Sequence, residues 1–96
     1  MEMIIVGSHL CPNTLYAIFK CKDAGITFRF QDLSASLADL RGFLALHEHD
    51  KVYAAFRESS KEKDYHETGK IGLPCFLFED GYKTLNLDEA IERAKK

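Results

Sequence analysis

The residues best able to do chemistry stand together: Gly7-Ser8-His9-Leu10-Cys11-Pro12-Asn13-Thr14. They place one cysteine where an apolar run, Met3-Ile4-Ile5-Val6, gives way to a helical pattern. Such a junction makes a thiol reactive. The unpaired N–H groups of a first helical turn and the positive end of the helix dipole favour thiolate over thiol. Pro12 suits the first helical position, where its missing N–H would have had no partner. Cys11 is therefore read as a nucleophilic redox cysteine. Thr14 lies one turn further on, placed to give the thiolate a hydrogen bond. Asn13 is expected to be exposed beside the thiol. His9 has two readings: a surface histidine, or a substrate contact that raises the thiolate fraction when protonated.

Two other cysteines need a place. Cys21 lies ten residues into the same helix, about 15 Å from Cys11 at 1.5 Å per residue, and is read as structural. Cys75 follows Gly72-Leu73-Pro74. Strand alternation makes it either a buried small residue or a thiol able to resolve Cys11. A proline before a strand is tolerated because no ladder donor is lost. His47 and His49 lie two apart and do not share a helix face. With Glu48 and Asp50 they read as a solvated helix end, and no metal site is expected.

The elements that must position these groups follow from pattern. Residues 3–7 read as a buried strand and 12–24 as a helix closed by Gly25, with Leu15, Ile18 and Phe19 on one face. Residues 26–30 alternate as a strand, so strand, helix and strand form a βαβ unit with parallel strands. Residues 35–64 are helical in character. One stripe is Leu37, Leu40 and Leu44; a weaker one is Val52, Ala55, Phe56 and Ser59, with a break near residues 47–50. The tract 59–64 is polar and expected to be solvated or mobile. Residues 75–79 form a third strand, Asp80-Gly81 a hairpin turn, and 82–85 an edge strand. Asp88 is placed as N-cap of a last helix through Lys95, with Leu87, Ile91 and Ala94 inward. The expected fold is one α/β domain over residues 1–96, a four-stranded mixed sheet flanked by helices.

Composition narrows the function classes. The chain has 96 residues, 46% hydrophobic and 29% charged, ordinary for a soluble domain. A net charge of −2 leaves no basic footprint for nucleic acid or anionic lipid. No apolar run approaches the roughly 20 residues that cross a bilayer. A strand begins almost at once, where a signal peptide would have to lie. Three cysteines cannot all pair within the chain. Together these suggest a reducing, cytoplasmic setting.

With Cys-Pro-x-x at the first strand–helix junction and Leu-Pro before the third strand, the chain resembles a glutaredoxin of the thioredoxin-like fold. The resemblance covers about residues 3–94. It is closest to short bacterial glutaredoxin-related proteins with an Ile-Gly-x-Pro-Cys segment, here Ile71 to Cys75. It implies thiol–disulfide oxidoreductase activity with Cys11 as the attacking thiol. It further implies a cis Leu73–Pro74 bond, with Pro74 against the sulfur. The Leu73 backbone would contact the substrate's cysteinyl group, and Asp88 the γ-glutamyl end of glutathione. No cofactor is bound tightly; glutathione or another low-molecular-weight thiol is the cosubstrate. The partners are that thiol or a disulfide-bearing protein, and the assembly is a monomer or weak homodimer.

Several positions depart from the family pattern. Thr14 replaces the second cysteine, so the mechanism is monothiol. Thr84 and Leu85 stand where the family has a glycine pair, and Ser8 where it often has lysine. The segment 35–70 is longer than usual. Two other readings remain. A non-catalytic interaction domain would use the 35–70 segment as its partner surface. An Fe–S carrier bridging a [2Fe–2S] cluster with glutathione is disfavoured by Pro12 and the missing glycine pair. A Cys–His hydrolase is remote.

Overall fold

The computed structural model describes residues 2–60 and 71–96. The order is β1 (Met3–Gly7), α1 (Pro12–Asp23), β2 (Phe28–Asp32), α2 (Leu37–His49), a 3-10 turn (Lys51–Tyr53), α3 (Ala54–Ser60), β3 (Cys75–Phe78), β4 (Lys83–Thr84) and α4 (Leu87–Lys95). Of the polar tract expected at 59–64, residues 61–64 lie outside the described residues. So does the side chain of Ser59, a member of the expected second stripe.

The strands form one mixed sheet in the order β2-β1-β3-β4. Strand β1 runs parallel to β2, from Met3 beside Phe28 to Gly7 beside Asp32. It runs antiparallel to β3, with Ile5 opposite Phe76 and Val6 opposite Cys75. Alternation sends the two sets of β1 side chains to opposite faces. Met3 and Ile5 join Phe76 and Phe78 against Ala17 and Cys21 of α1 and Ala90 of α4. On the other face, Val6 and Cys75 meet Phe43 of α2 and Tyr53 of the 3-10 turn. The sheet is thus an apolar layer between two layers of helix, which is why its central strands read as continuous apolar runs.

Local chemistry sets the element ends. Helix α1 stops at Asp23 because Gly25 adopts φ +74°. The Ile26 N–H then returns to the Cys21 carbonyl at 2.9 Å. Ile26 is therefore part of the helix closure, and β2 begins at Phe28 rather than at residue 26. The hairpin after β3 forms as expected. Gly81 has φ +92°, its N–H reaches the Phe78 carbonyl at 3.0 Å, and the Asp80 carboxylate accepts from the Tyr82 N–H at 3.1 Å. The last helix is capped by Asn86, not Asp88: Asn86 Oδ1 accepts from the Glu89 N–H at 2.9 Å. Asp88 sits in the first turn, where its charge meets the positive dipole end. Its expected inward residues Leu87, Ile91 and Ala94 do pack on the core.

Two helix faces differ from expectation. Helix α1 buries Thr14, Ala17 and Cys21, with Ile18 partly covered, while Leu15 and Phe19 point outward. Small side chains on the inner face bring the helix close to the sheet. Helix α2 buries Phe43 and packs Leu40 and Leu46, while Leu37 is 75% exposed and Leu44 is also outward. Leu37 directly follows the N-cap Ser36, whose hydroxyl accepts from the Asp39 N–H at 3.2 Å. Among the described residues, no helix is long and apolar enough to cross a membrane.

The observed face of α2 is testable by truncation. Phe43→Ala is expected to cost about 3–5 kcal/mol, whereas Leu37→Ala stays within about 0.5 kcal/mol. Urea unfolding of both variants checks this, and the reverse ranking would refute the placement of α2.

Candidate active site

Cys11 is the N-cap of α1, with φ −99° and ψ 117°. Its carbonyl accepts the first helical bond from the Leu15 N–H at 3.1 Å, and its own N–H donates to the Ser8 carbonyl at 3.0 Å. The thiol is partly exposed. Partial burial pushes its pKa up, but the Thr14 hydroxyl and the N–H groups of Thr14 and Asn13 together outweigh this, so the pKa lies below the ordinary thiol value. No capping bond to the sulfur has closed geometry. The amides therefore act on it as oriented dipoles of the first turn.

Thr14 is fully buried, and its hydroxyl oxygen accepts from the Ser8 N–H at 3.3 Å. A hydroxyl has one proton and two lone pairs. With an acceptor position filled by Ser8, the proton remains available for the sulfur. Ser8 is the hub of this loop. Its Oγ accepts from the Leu10 N–H at 3.0 Å and shares a 2.5 Å hydrogen bond with Ser34 Oγ. This ties the thiol loop to the segment after β2.

A second tie runs through His9. Its Nδ1 lies 2.7 Å from Asp32 Oδ2, and Asp32 Oδ1 also accepts from the Ser34 N–H at 3.0 Å. Burial would raise the Asp32 pKa, but the His9 side chain and the N–H groups of Ser34 and His9 hold it below the ordinary carboxylate value. His9 is thus a surface histidine oriented by a carboxylate.

A cavity of about 590 Å³ opens beside Cys11. Its polar wall is Ser8, Asn13 and Ser34; its apolar wall is Leu10, Leu33, Phe56, Ile71 and Leu73, with Gly72. Cys11, Asn13 and Leu73, three of the residues singled out from sequence, therefore share one cavity. The Leu73–Pro74 bond is cis. The ladder of β3 begins only at the Cys75–Val6 pair, so the Leu73 peptide lies off the sheet at the cavity. Pro74 is partly buried and Asp88 is exposed at the start of α4. Neither they nor His9 line the cavity.

Cys75 is fully buried and projects to the α2 side of the sheet. Burial pushes its thiol up to about 11, with the neighbouring Tyr53 acting in the opposite direction. Cys21 is also fully buried, against the other face, and burial raises its pKa too. Tyr53 is the largest fully buried side chain. Its hydroxyl donates to the Gly72 carbonyl at 2.6 Å. Gly72 has φ +80°, and a Cβ there would stand 2.6 Å from the Tyr53 ring. Tyr53 thus fixes the approach to Leu73.

His47 is not a simple solvated helix end, because its ring packs 5.2 Å from Tyr53 and 5.5 Å from Phe43. Arg57 closes that helix end by donating to the carbonyls of His47 and Asp50, both at 2.8 Å. Among the described residues, no group of three or more His, Cys, Asp or Glu side chains is placed to hold a metal ion.

Sequence reasoning noted Ser8 only as a departure from the family pattern and passed over Ser34, Asp32 and Tyr53. Ser8 and Asp32 carry a local signal, since each accepts from the N–H two residues on. Tyr53 carries none, because only tertiary folding brings it to Gly72. Searches against protein-family models, curated proteins and solved structures return no match to this chain.

The role given to Thr14 has a direct test. Thr14→Val removes the hydroxyl but keeps the shape, so the Cys11 pKa should rise. The pH–rate curve for iodoacetamide alkylation of Cys11 then moves to higher pH, its rate at pH 7 falls, and its high-pH plateau is unchanged. Thr14→Ser should keep the wild-type curve. Superimposable Val and wild-type curves would exclude the hydroxyl's role.

Proposed function

We propose that this protein is a glutaredoxin-like thiol–disulfide oxidoreductase of the thioredoxin-like fold, working by a monothiol mechanism through Cys11. The observation that carries this reading is Cys11 at the helix N-terminus, its thiol pKa lowered by Thr14 and Asn13, open to a cavity shared with Leu73. The sheet order β2-β1-β3-β4 with helices on both faces supports the same reading.

In the first step the Cys11 thiolate attacks one sulfur of a substrate disulfide. The Cys11–substrate S–S bond forms as the old S–S bond breaks, and the departing sulfur leaves as a thiolate that takes a proton from solvent. In the second step another thiolate attacks the mixed disulfide and releases Cys11. These two steps release one substrate thiol and leave the other joined to the external thiol; a second external thiol attacking that disulfide frees it, so that the substrate disulfide is reduced and two external thiols are oxidised.

The external thiol is glutathione, another low-molecular-weight thiol or a protein cysteine. Cys75 is a poor second thiol, because burial keeps it protonated at neutral pH. The helix dipole and first-turn amides favour Cys11 both as attacking group in the first step and as leaving group in the second. The Leu73 peptide is the edge on which an extended substrate would lie, as a short added strand.

Bis(2-hydroxyethyl) disulfide provides the test. Mass spectrometry should find a mercaptoethanol adduct on Cys11 in the wild type and in Cys21→Ser, and added thiol should release it. Cys11→Ser should lower turnover by roughly a thousandfold or more. A wild type that forms no adduct, and whose Cys11 alkylates like free cysteine, would instead point to a non-catalytic interaction domain.

A further inference from the structure

The described wall of the cavity is mostly apolar. Glutathione brings two carboxylates and one ammonium group at neutral pH. Among the described residues, the cavity wall carries no lysine or arginine. In the loop network the Asp32 carboxylate is bonded to the N–H of Ser34, a wall residue, and to the His9 ring. A carboxylate placed against leucine and phenylalanine without a partner loses hydration and gains nothing in return.

The apolar character extends beyond the cavity. Leu10 and Ile71 line it and are 73% and 59% exposed. Leu15 and Phe19 follow Cys11 at i+4 and i+8, on one line of the helix. Both are exposed, Phe19 at 70%, and Tyr16 lies beside them. Scattered apolar side chains on a surface need no explanation, but a row that leads from a reactive thiol marks a contact.

We infer that the substrate of Cys11 is a cysteine in a protein or peptide flanked by apolar residues, with a flanking side chain seated among Leu10, Leu33, Phe56, Ile71 and Leu73. This rests on the exchange reading above and specifies its substrate class. The cavity is within the usual size range for such a site, a few hundred to about 1,000 Å³. The polar wall then lies beside the reacting sulfurs and the apolar wall beside the flanking residue.

The test uses short peptides whose single cysteine is blocked as a mixed disulfide with 5-thio-2-nitrobenzoate. Leucine and phenylalanine flank the cysteine in one peptide, glutamate in a second, lysine in a third. The matching glutathione mixed disulfide is the fourth probe. In each case Cys11 attacks the peptide or glutathione sulfur, one S–S bond forms, one breaks, and the coloured thiolate leaves with the bonding electron pair.

The apolar peptide should react roughly tenfold faster or more than the other three, the gain of one well-filled apolar contact. Leu10→Ser should remove most of that advantage, read as the ratio of the apolar-peptide rate to the lysine-peptide rate within each protein, so that any change in the thiol itself cancels. Leu10 is 73% exposed, so its truncation leaves the core intact. Equal rates for all four probes, or a preference for the glutathione or lysine probe, would overturn the substrate class and leave exchange at Cys11 standing. No release from any probe, with ordinary alkylation of Cys11, would overturn both.

Discussion

The site depends on one close approach, that of Thr14 to the end of β1. A Cβ on Gly7 would lie 2.5 Å from both Thr14 Cγ2 and Oγ1. Glycine at position 7 therefore lets the first turn of α1 sit directly against the strand. That contact brings Thr14 Oγ1 to the Ser8 N–H and leaves its proton for Cys11. The loop between them is held by backbone and hydroxyl groups at Ser8 and by the His9–Asp32 pair. The thiol is thus activated by short-range geometry. Its environment follows from how tightly strand and helix meet.

The sheet then decides which thiols meet. Val6 and Cys75 are register partners and project together toward α2, whereas α1 packs on the opposite face. Cys75 lies only one residue from the cis-proline, yet its side chain belongs to the Tyr53 layer. Burial raises the pKa of Cys75, while the first-turn dipoles lower that of Cys11. Strand alternation thus separates, within one small fold, a thiol whose pKa burial raises from one whose pKa the helix start lowers. Tyr53 belongs to both layers of this arrangement, since it packs beside Cys75 while its hydroxyl holds Gly72 at the cavity.

Much of this was legible in the sequence, for identifiable reasons. Glycine and proline mark backbone geometry directly, so the Gly25 closure, the Asp80-Gly81 hairpin and Pro12 at the start of α1 locate element ends. Central strands buried on both faces give the apolar runs at residues 3–6 and 75–78. The helix faces were less legible. In α1, the large apolar residues at 15, 16, 18 and 19 form one broad face of about 160°, while the buried face is built from Thr14, Ala17 and Cys21. The conspicuous side chains point outward, so a reading by hydrophobicity selects the wrong stripe. Asn86 and Asp88 are both good cap residues, and only the observed Asn86 bond to Glu89 distinguishes them. The Tyr53–Gly72 clasp joins residues nineteen apart through the fold and leaves no local mark.

The same physics links the rim to the chemistry. Burial opposes the Cys11 thiolate, and the Thr14 hydroxyl and the first-turn amides of Thr14 and Asn13 support it; in the free protein the support prevails. An apolar group seated in the cavity excludes water and increases the first effect. The thiolate loses hydration as the substrate docks, while the mixed disulfide, which carries no charge at Cys11, loses none. Apolar docking therefore favours the covalent product over the ionised thiol. On the proposed exchange reading, a hydrated site makes the nucleophile, and a site filled by an apolar group retains the mixed disulfide until a second thiol arrives.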